Sequence, residues 1–188
     1  MNKPVLSVQN LSVAFGKVNP LQVTDEVSFD IYPGEFFALV GESGCGKSVT
    51  AMSILRLLPQ PSAQIVNGTV DFVSRFSKDE SSVNLAKLPL AELQKIRGSE
   101  IACIFQEPMQ ALNPVLTIRK QLMEVFKFGA RNANVDPVAT IREQLVSAGF
   151  SDPERVLNSY PHELSGGMLQ RVCIVNGSFV QAKAYYCR

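Results

Sequence analysis

Apolar and polar residues alternate along 5–15 and again along 22–31, the period of two that turns one face of a strand inward. The two stretches are read as antiparallel strands, and Tyr32-Pro33-Gly34-Glu35 as the turn that leads out of the second. Phe36-Phe37-Ala38-Leu39-Val40 does not alternate. A continuous apolar run of this length predicts a strand buried on both faces. Residues 49–58 predict a helix and 65–74 a further strand, while 75–86 are polar and without period. A short apolar strand over 100–105 ends at Gln106, and beyond it the spacing becomes helical. Asp136-Pro137 reads as an N-cap with proline in the first turn; Val138, Ile141, Leu145 and Ala148 then form one apolar stripe closed by Gly149. Ser151-Asp152-Pro153-Glu154 fits a capping box for the next short helix. Residues 168–175 predict another helix, which Asn176-Gly177-Ser178 is expected to break. No internal repeat interrupts this order, so the fold class is α/β.

Composition narrows the picture. The chain has 188 residues, 46% of them hydrophobic, enough for one sizeable core. Its net charge is +1 with no basic or acidic block, which argues against a nucleic-acid partner. No apolar run approaches the roughly 18 residues of a membrane span, and Met1-Asn2-Lys3-Pro4 opens no signal-type segment. A cytoplasmic protein is expected. Cys45, Cys103, Cys173 and Cys187 lack metal-ligand spacing and read as free thiols. His162 is the only histidine, and without partners for acid–base or metal work it reads as a structural loop residue.

One stretch names a ligand class. Gly41-Glu42-Ser43-Gly44-Cys45-Gly46-Lys47-Ser48 fits G-x-x-x-x-G-K-[ST], between a predicted strand and a predicted helix that opens at Val49. Glycines let the backbone close around a phosphate chain, and successive N–H groups at a helix N-terminus supply positive potential. Lys47 is expected to reach the β- and γ-phosphates, and the Ser48 hydroxyl to ligate Mg²⁺. A glycine-rich turn that merely starts a helix would not need the lysine and the hydroxyl as well. The reading is a nucleoside-triphosphate site. Cys45 occupies a variable position of the motif and reads as neutral to packing, the competing reading being a thiol made unusually reactive by Lys47 beside it.

A second stretch says which kind. Leu164-Ser165-Gly166-Gly167-Met168-Leu169-Gln170-Arg171 opens a helix, and alone Ser-Gly-Gly is an ordinary N-cap. Together with the upstream loop it resembles the signature of ABC-transporter ATPases. The run from Ser159-Tyr160-Pro161-His162-Glu163 into that signature, and Ile104-Phe105-Gln106-Glu107-Pro108-Met109 followed by Leu112-Asn113-Pro114, resemble the ATP-binding subunits of bacterial oligopeptide, dipeptide and nickel importers. The resemblance extends from Val5 to about Val175.

That resemblance implies a P-loop core with an antiparallel β-subdomain over 1–105, a helical subdomain with the signature helix over 106–175, and an aberrant tail over 176–188. It implies ATP and Mg²⁺ as cofactors, Phe15 as an aromatic stacked on adenine, and Gln106 as a Mg²⁺ contact that senses the γ-phosphate. It also implies a head-to-tail dimer with a second ATPase subunit, in which Ser165, Gly166 and Gly167 of one chain cap the γ-phosphate held by the other. Membrane permease subunits on the inner face of a bacterial cell membrane complete the assembly. The family places an apolar strand ending in Asp-Glu, and later a histidine, after the signature helix; residues 176–188 contain no acidic residue. One legal coding of that tail, read one base later, spells an apolar strand ending in Asp and the start of a Glu codon. The expectation is a single-base frameshift near Val175, an incomplete domain lacking its C-terminal part, and nucleotide binding without hydrolysis. Phe179, Tyr185 and Tyr186 read as too few to build a core layer. The competing readings are a P-loop ATPase outside transport, such as a DNA-repair ATPase with the same signature, and a non-catalytic regulatory partner of an intact subunit.

Overall fold

The computed structural model describes residues 3–74, 81–105, 107–129, 136–179 and 184–187. The chain divides into two compact units, Met1–Arg97 and Gly98–Arg188.

In the first unit, β1 (Leu6–Phe15), β2 (Leu21–Ile31), β3 (Ala63–Val73) and β4 (Ser82–Asn84) form an antiparallel sheet in the order β2-β1-β3-β4. β1 is central, so its apolar positions are covered, and Val8, Leu11 and Val13 are fully buried. Its pairing with β2 slips around residues 8–14, and side chains repair the broken ladder. Thr24 Oγ1 accepts from Val13 N–H at 3.0 Å, and Ser12 Oγ accepts from Glu26 N–H at 3.0 Å. β4 lies inside the stretch expected to be without structure, and its pairing with β3 explains the difference: three residues suffice where a ladder partner is already fixed.

Two further expectations fail in this unit. Residues 36–40 form no strand, and Phe36 is 97% and Val40 87% exposed. An apolar run becomes a strand only when a neighbour takes its backbone groups, and the four-stranded sheet does not include this segment. The helix expected over 49–58 is α1 (Lys47–Ile54). It stops early because Arg56 adopts a left-handed backbone with φ 51°, and the Arg97 guanidinium caps the open end by donating to Leu55 O at 2.9 Å and Arg56 O at 2.9 Å. α2 (Leu90–Ile96) delivers Arg97 to that position.

The second unit opens with β5 (Ile101–Ile104), followed by α3 (Pro108–Ala111), α4 (Ile118–Gly129), α5 (Pro137–Ser147), α6 (Pro153–Asn158), a 3₁₀ turn at Pro161–Glu163, α7 (Gly166–Ser178) and β6 (Ala184–Cys187). Leu122, Ile141, Leu145, Leu157 and Val172 centre its core. α5 begins as expected, with Asp136 accepting from Val138 N–H at 2.9 Å, and Ile141 and Leu145 point inward. The capping box expected at Ser151 is absent. Asp152 is the cap of α6, accepting from Arg155 N–H at 3.0 Å. Glu154 instead bonds Arg119 of α4 at 2.7 Å and Arg142 of α5, joining three helices, because two guanidiniums attract the carboxylate more strongly than one backbone N–H.

The break expected at Asn176-Gly177-Ser178 does not occur, since α7 runs through Ser178. Gly177 serves packing: a Cβ there would lie 3.1 and 3.2 Å from the Ile104 side chain of β5. Phe179 adds to the core, 8% exposed and edge-on to Phe126 at 5.5 Å, and residues 184–187 pair parallel with β5. Residues 176–179 and 184–187 are therefore more structured than their composition suggested.

Candidate nucleotide site

The loop 41–48 rises from the exposed segment after β2 and ends where α1 starts. Its last glycine is what docks it. Gly46 is buried with φ 92°, and a Cβ there would lie 2.9 Å from Thr24 Cγ2 and 3.1 Å from Val23 O of β2. Any side chain would both clash and strain the backbone, so only glycine closes this join. Gly44 also has a positive φ, at 85°. Gly46 is the N-cap of α1, with no side-chain cap and no acidic residue in the first turn. The amide N–H groups of Lys47, Ser48 and Val49 thus open on the loop at the positive end of the helix.

Lys47 is the first residue of α1, and its ammonium folds back into the loop. Lys47 Nζ donates to Gly41 O at 2.7 Å, to Glu42 O at 2.6 Å and to Cys45 Sγ at 3.5 Å. The ammonium is thus held by loop carbonyls and bordered by the N–H groups that open α1. Residues 41–45 are exposed while Lys47, Ser48 and Val49 are half-buried, so the cradle is open to solvent and its floor is fixed. Ser48 is the second residue of α1.

Phe15 ends β1, opposite Leu21 and Ala63, and is half-buried in the same unit as the loop. Gln106 lies outside the described residues; its neighbours are half-buried Phe105 and Glu107, the N-cap residue of α3. Ser165-Gly166-Gly167 belongs to the second unit, where Ser165 caps α7 by accepting from Met168 N–H at 3.4 Å. Gly166 and Gly167 are exposed, and a Cβ added to either would meet nothing within 4 Å. His162 is exposed and stacked on Tyr160 at 5.7 Å, while Glu163 accepts from Tyr160 N–H at 2.7 Å, an arrangement that fits a structural loop residue.

Two supporting residues escaped the sequence reading, and a third, Arg171, entered it only as part of the signature. Thr24 braces both the bulge in β1 and the approach of Gly46. Gln121, buried in α4, holds the Leu112-Asn113-Pro114 loop by accepting from Asn113 N–H at 2.8 Å and donating to Asn113 O at 3.0 Å. Arg171 of α7 lies over the Phe150 ring at 4.3 Å. Only the Gln-Arg pair after the signature pointed to any of them.

Comparison with known proteins places the chain in a family. The ABC transporter family profile matches residues 24–186. The chain is 45% identical over 173 residues to a peptidoglycan transport ATP-binding protein of Agrobacterium fabrum, covering 92% of this chain and 30% of that one. It is 44% identical to a dipeptide transport ATP-binding protein of Bacillus subtilis, over 90% of this chain and 49% of that one. The chain thus spans half or less of these relatives. Among solved structures, the dimeric post-hydrolysis state of an ATP-binding cassette bound to ADP and Pi superposes with a TM-score of 0.75 at 26% identity, covering 97% of this chain and 72% of that one.

Proposed function

Because the chain belongs to the ABC transporter family, we propose that loop 41–48 binds the phosphate chain of ATP, and that the protein serves as the nucleotide-binding subunit of a peptide importer. The observation that carries this reading is Lys47, whose ammonium fills the loop through Gly41 O and Glu42 O while the first turn of α1 stays uncapped. On binding, Lys47 turns to the β- and γ-phosphates, and the N–H groups that follow Gly46 bond their oxygens. Phe15 stacks on the adenine. The donor set fits Mg²⁺: such ions take one or two protein oxygens and complete their shell with phosphate and water, and the Ser48 hydroxyl is one such oxygen beside the cradle. Bound there, the ion neutralises charge on the phosphate oxygens. Gln106 is the second candidate ligand and the sensor of the γ-phosphate.

The exposed Gly166 and Gly167 at the start of α7 suit a role in capping the γ-phosphate of a second, head-to-tail subunit. Permease subunits at the inner face of the cell membrane are the further partners. The dipeptide transport relative favours peptides as cargo over nickel. β6, the strand that follows α7, carries Ala184, Tyr185, Tyr186 and Cys187 and no carboxylate to orient water. Nucleotide binding without turnover is the proposed state of this polypeptide.

Thermal unfolding with and without Mg-ATP tests the site. At a hundredfold excess over Kd, binding contributes about 2.7 kcal/mol of stability. Lys47→Ala is expected to remove most of that shift, and equal shifts in both proteins would refute the assignment. Phosphate release in the same samples is expected to stay at background, and release that disappears in Lys47→Ala would overturn the absence of turnover.

A further inference from the structure

Arg171 is six residues beyond Ser165 on α7, and its side chain points to another helix. Its Nη1 donates to Gly149 O at 2.9 Å and to Ala148 O at 3.3 Å, the carbonyls at the open C-terminal end of α5. The guanidinium carbon sits 4.3 Å above the ring of Phe150, itself 6% exposed and part of the core. Gly149 makes the approach possible. Its φ of +83° ends α5 in the left-handed conformation, and a Cβ there would lie 3.3 Å from Arg171 Nη1. One planar cation thus caps a helix, covers an aromatic face and ties α7 to α5.

The body of α7 does not need this tie. Leu169, Val172, Cys173 and Val175 are buried in the core and hold the helix along its length. Its N-terminal residues add little of their own: Gly166 and Gly167 have no side chains, and the Ser165 cap spans 3.4 Å. We propose that Arg171 is a positioning residue for the Ser165-Gly166-Gly167 turn, setting the direction in which the N–H groups of that turn face an anion. This rests on the proposed function for the anion's identity, since the phosphate of a bound nucleotide is what the turn would meet. It does not rest on it for the clamp itself.

Amide hydrogen exchange on the full chain, with Arg171→Ala and Arg171→Lys, separates positioning from general packing. The N–H groups of Gly166 and Gly167 have no helical acceptor, and the first bond that ties the turn to the helix is Leu169 N–H donating to Ser165 O at 2.9 Å. Loss of bonds to a charged donor is expected to speed exchange at Leu169 and Gln170 of Arg171→Ala by about tenfold, with residues 173–176 unchanged within roughly twofold. Arg171→Lys keeps the charge but not the planar fork, so an intermediate rate at 169–170 is expected, and this variant decides the matter if the alanine variant fails to fold. Unchanged rates at 169–170, or an equal rise along all of α7, would overturn the proposal. The Mg-ATP thermal shift of the unmodified protein, read in parallel, tests the nucleotide reading separately. A chain that shows the local exchange change and no shift at all would retain the clamp and lose the nucleotide reading.

Discussion

At the scale of single residues, environment separates side chains that the sequence presents as equals. Cys45 is exposed on the phosphate loop, in reach of the Lys47 ammonium, whereas Cys173 is buried in α7. Burial pushes the Cys173 thiol up to about 11, because an apolar surround disfavours the thiolate. At pH 8 only about one in a thousand Cys173 side chains would carry the reactive charge. Native labelling with iodoacetamide, read by mass spectrometry, is therefore expected to modify Cys45 and to reach Cys173 only after denaturation. Comparable rates at both would mean that α7 is not packed as described. Lys47 shows the same dependence on surroundings: the carbonyls of Gly41 and Glu42 hold its ammonium inside the loop.

At the scale of elements, the helical unit is joined by one carboxylate. Glu154 bonds Arg119 and Arg142, and these bonds, that to Arg142 foremost, hold its carboxyl below the ordinary range. A depressed folded-state value favours the folded protein above the unfolded carboxyl value of about 4.3, and the benefit fades as pH falls through the folded value. Glu154→Gln is thus expected to lower the melting temperature modestly at neutral pH and to flatten the loss of stability on acidification. Identical acid limbs for the two proteins would show that this exposed pair contributes nothing. The motif read as a capping box was correct in composition and wrong in role. Distant arginines claimed the Glu154 side chain, and neither sits close in sequence.

At the scale of the whole molecule, the exposed run 36–40 stands out. Phe36 and Val40 are almost fully exposed, and only Phe37 finds a ring partner, stacking on Phe29 at 4.9 Å. Apolar surface of this kind, with backbone groups outside any ladder, promotes association and dye binding. The full chain is expected to bind a hydrophobic dye such as anilinonaphthalene sulfonate and to self-associate at raised concentration. Phe36→Lys combined with Val40→Lys should at least halve the dye signal without changing the circular dichroism. An undiminished signal would place the sticky surface elsewhere.

What the sequence alone determined is whatever depends on neighbours in the chain. The start of α1 at Gly46, the Ser165 cap and the Asp136 cap each follow from residues a few positions apart, whose geometry is set by local backbone rules. Tertiary structure decided everything that needs a partner from far along the chain. Residues 36–40 have the composition of a buried strand and no strand beside them, so they stay outside the sheet. Gly177 reads as a helix breaker and instead marks the close pass of Ile104, because a missing side chain can serve packing as well as flexibility. Phe179 joins the core through Phe126, and the strand at 184–187 forms because β5 offers it an open edge. Burial and pairing are properties of the assembled chain, and no local pattern contains them.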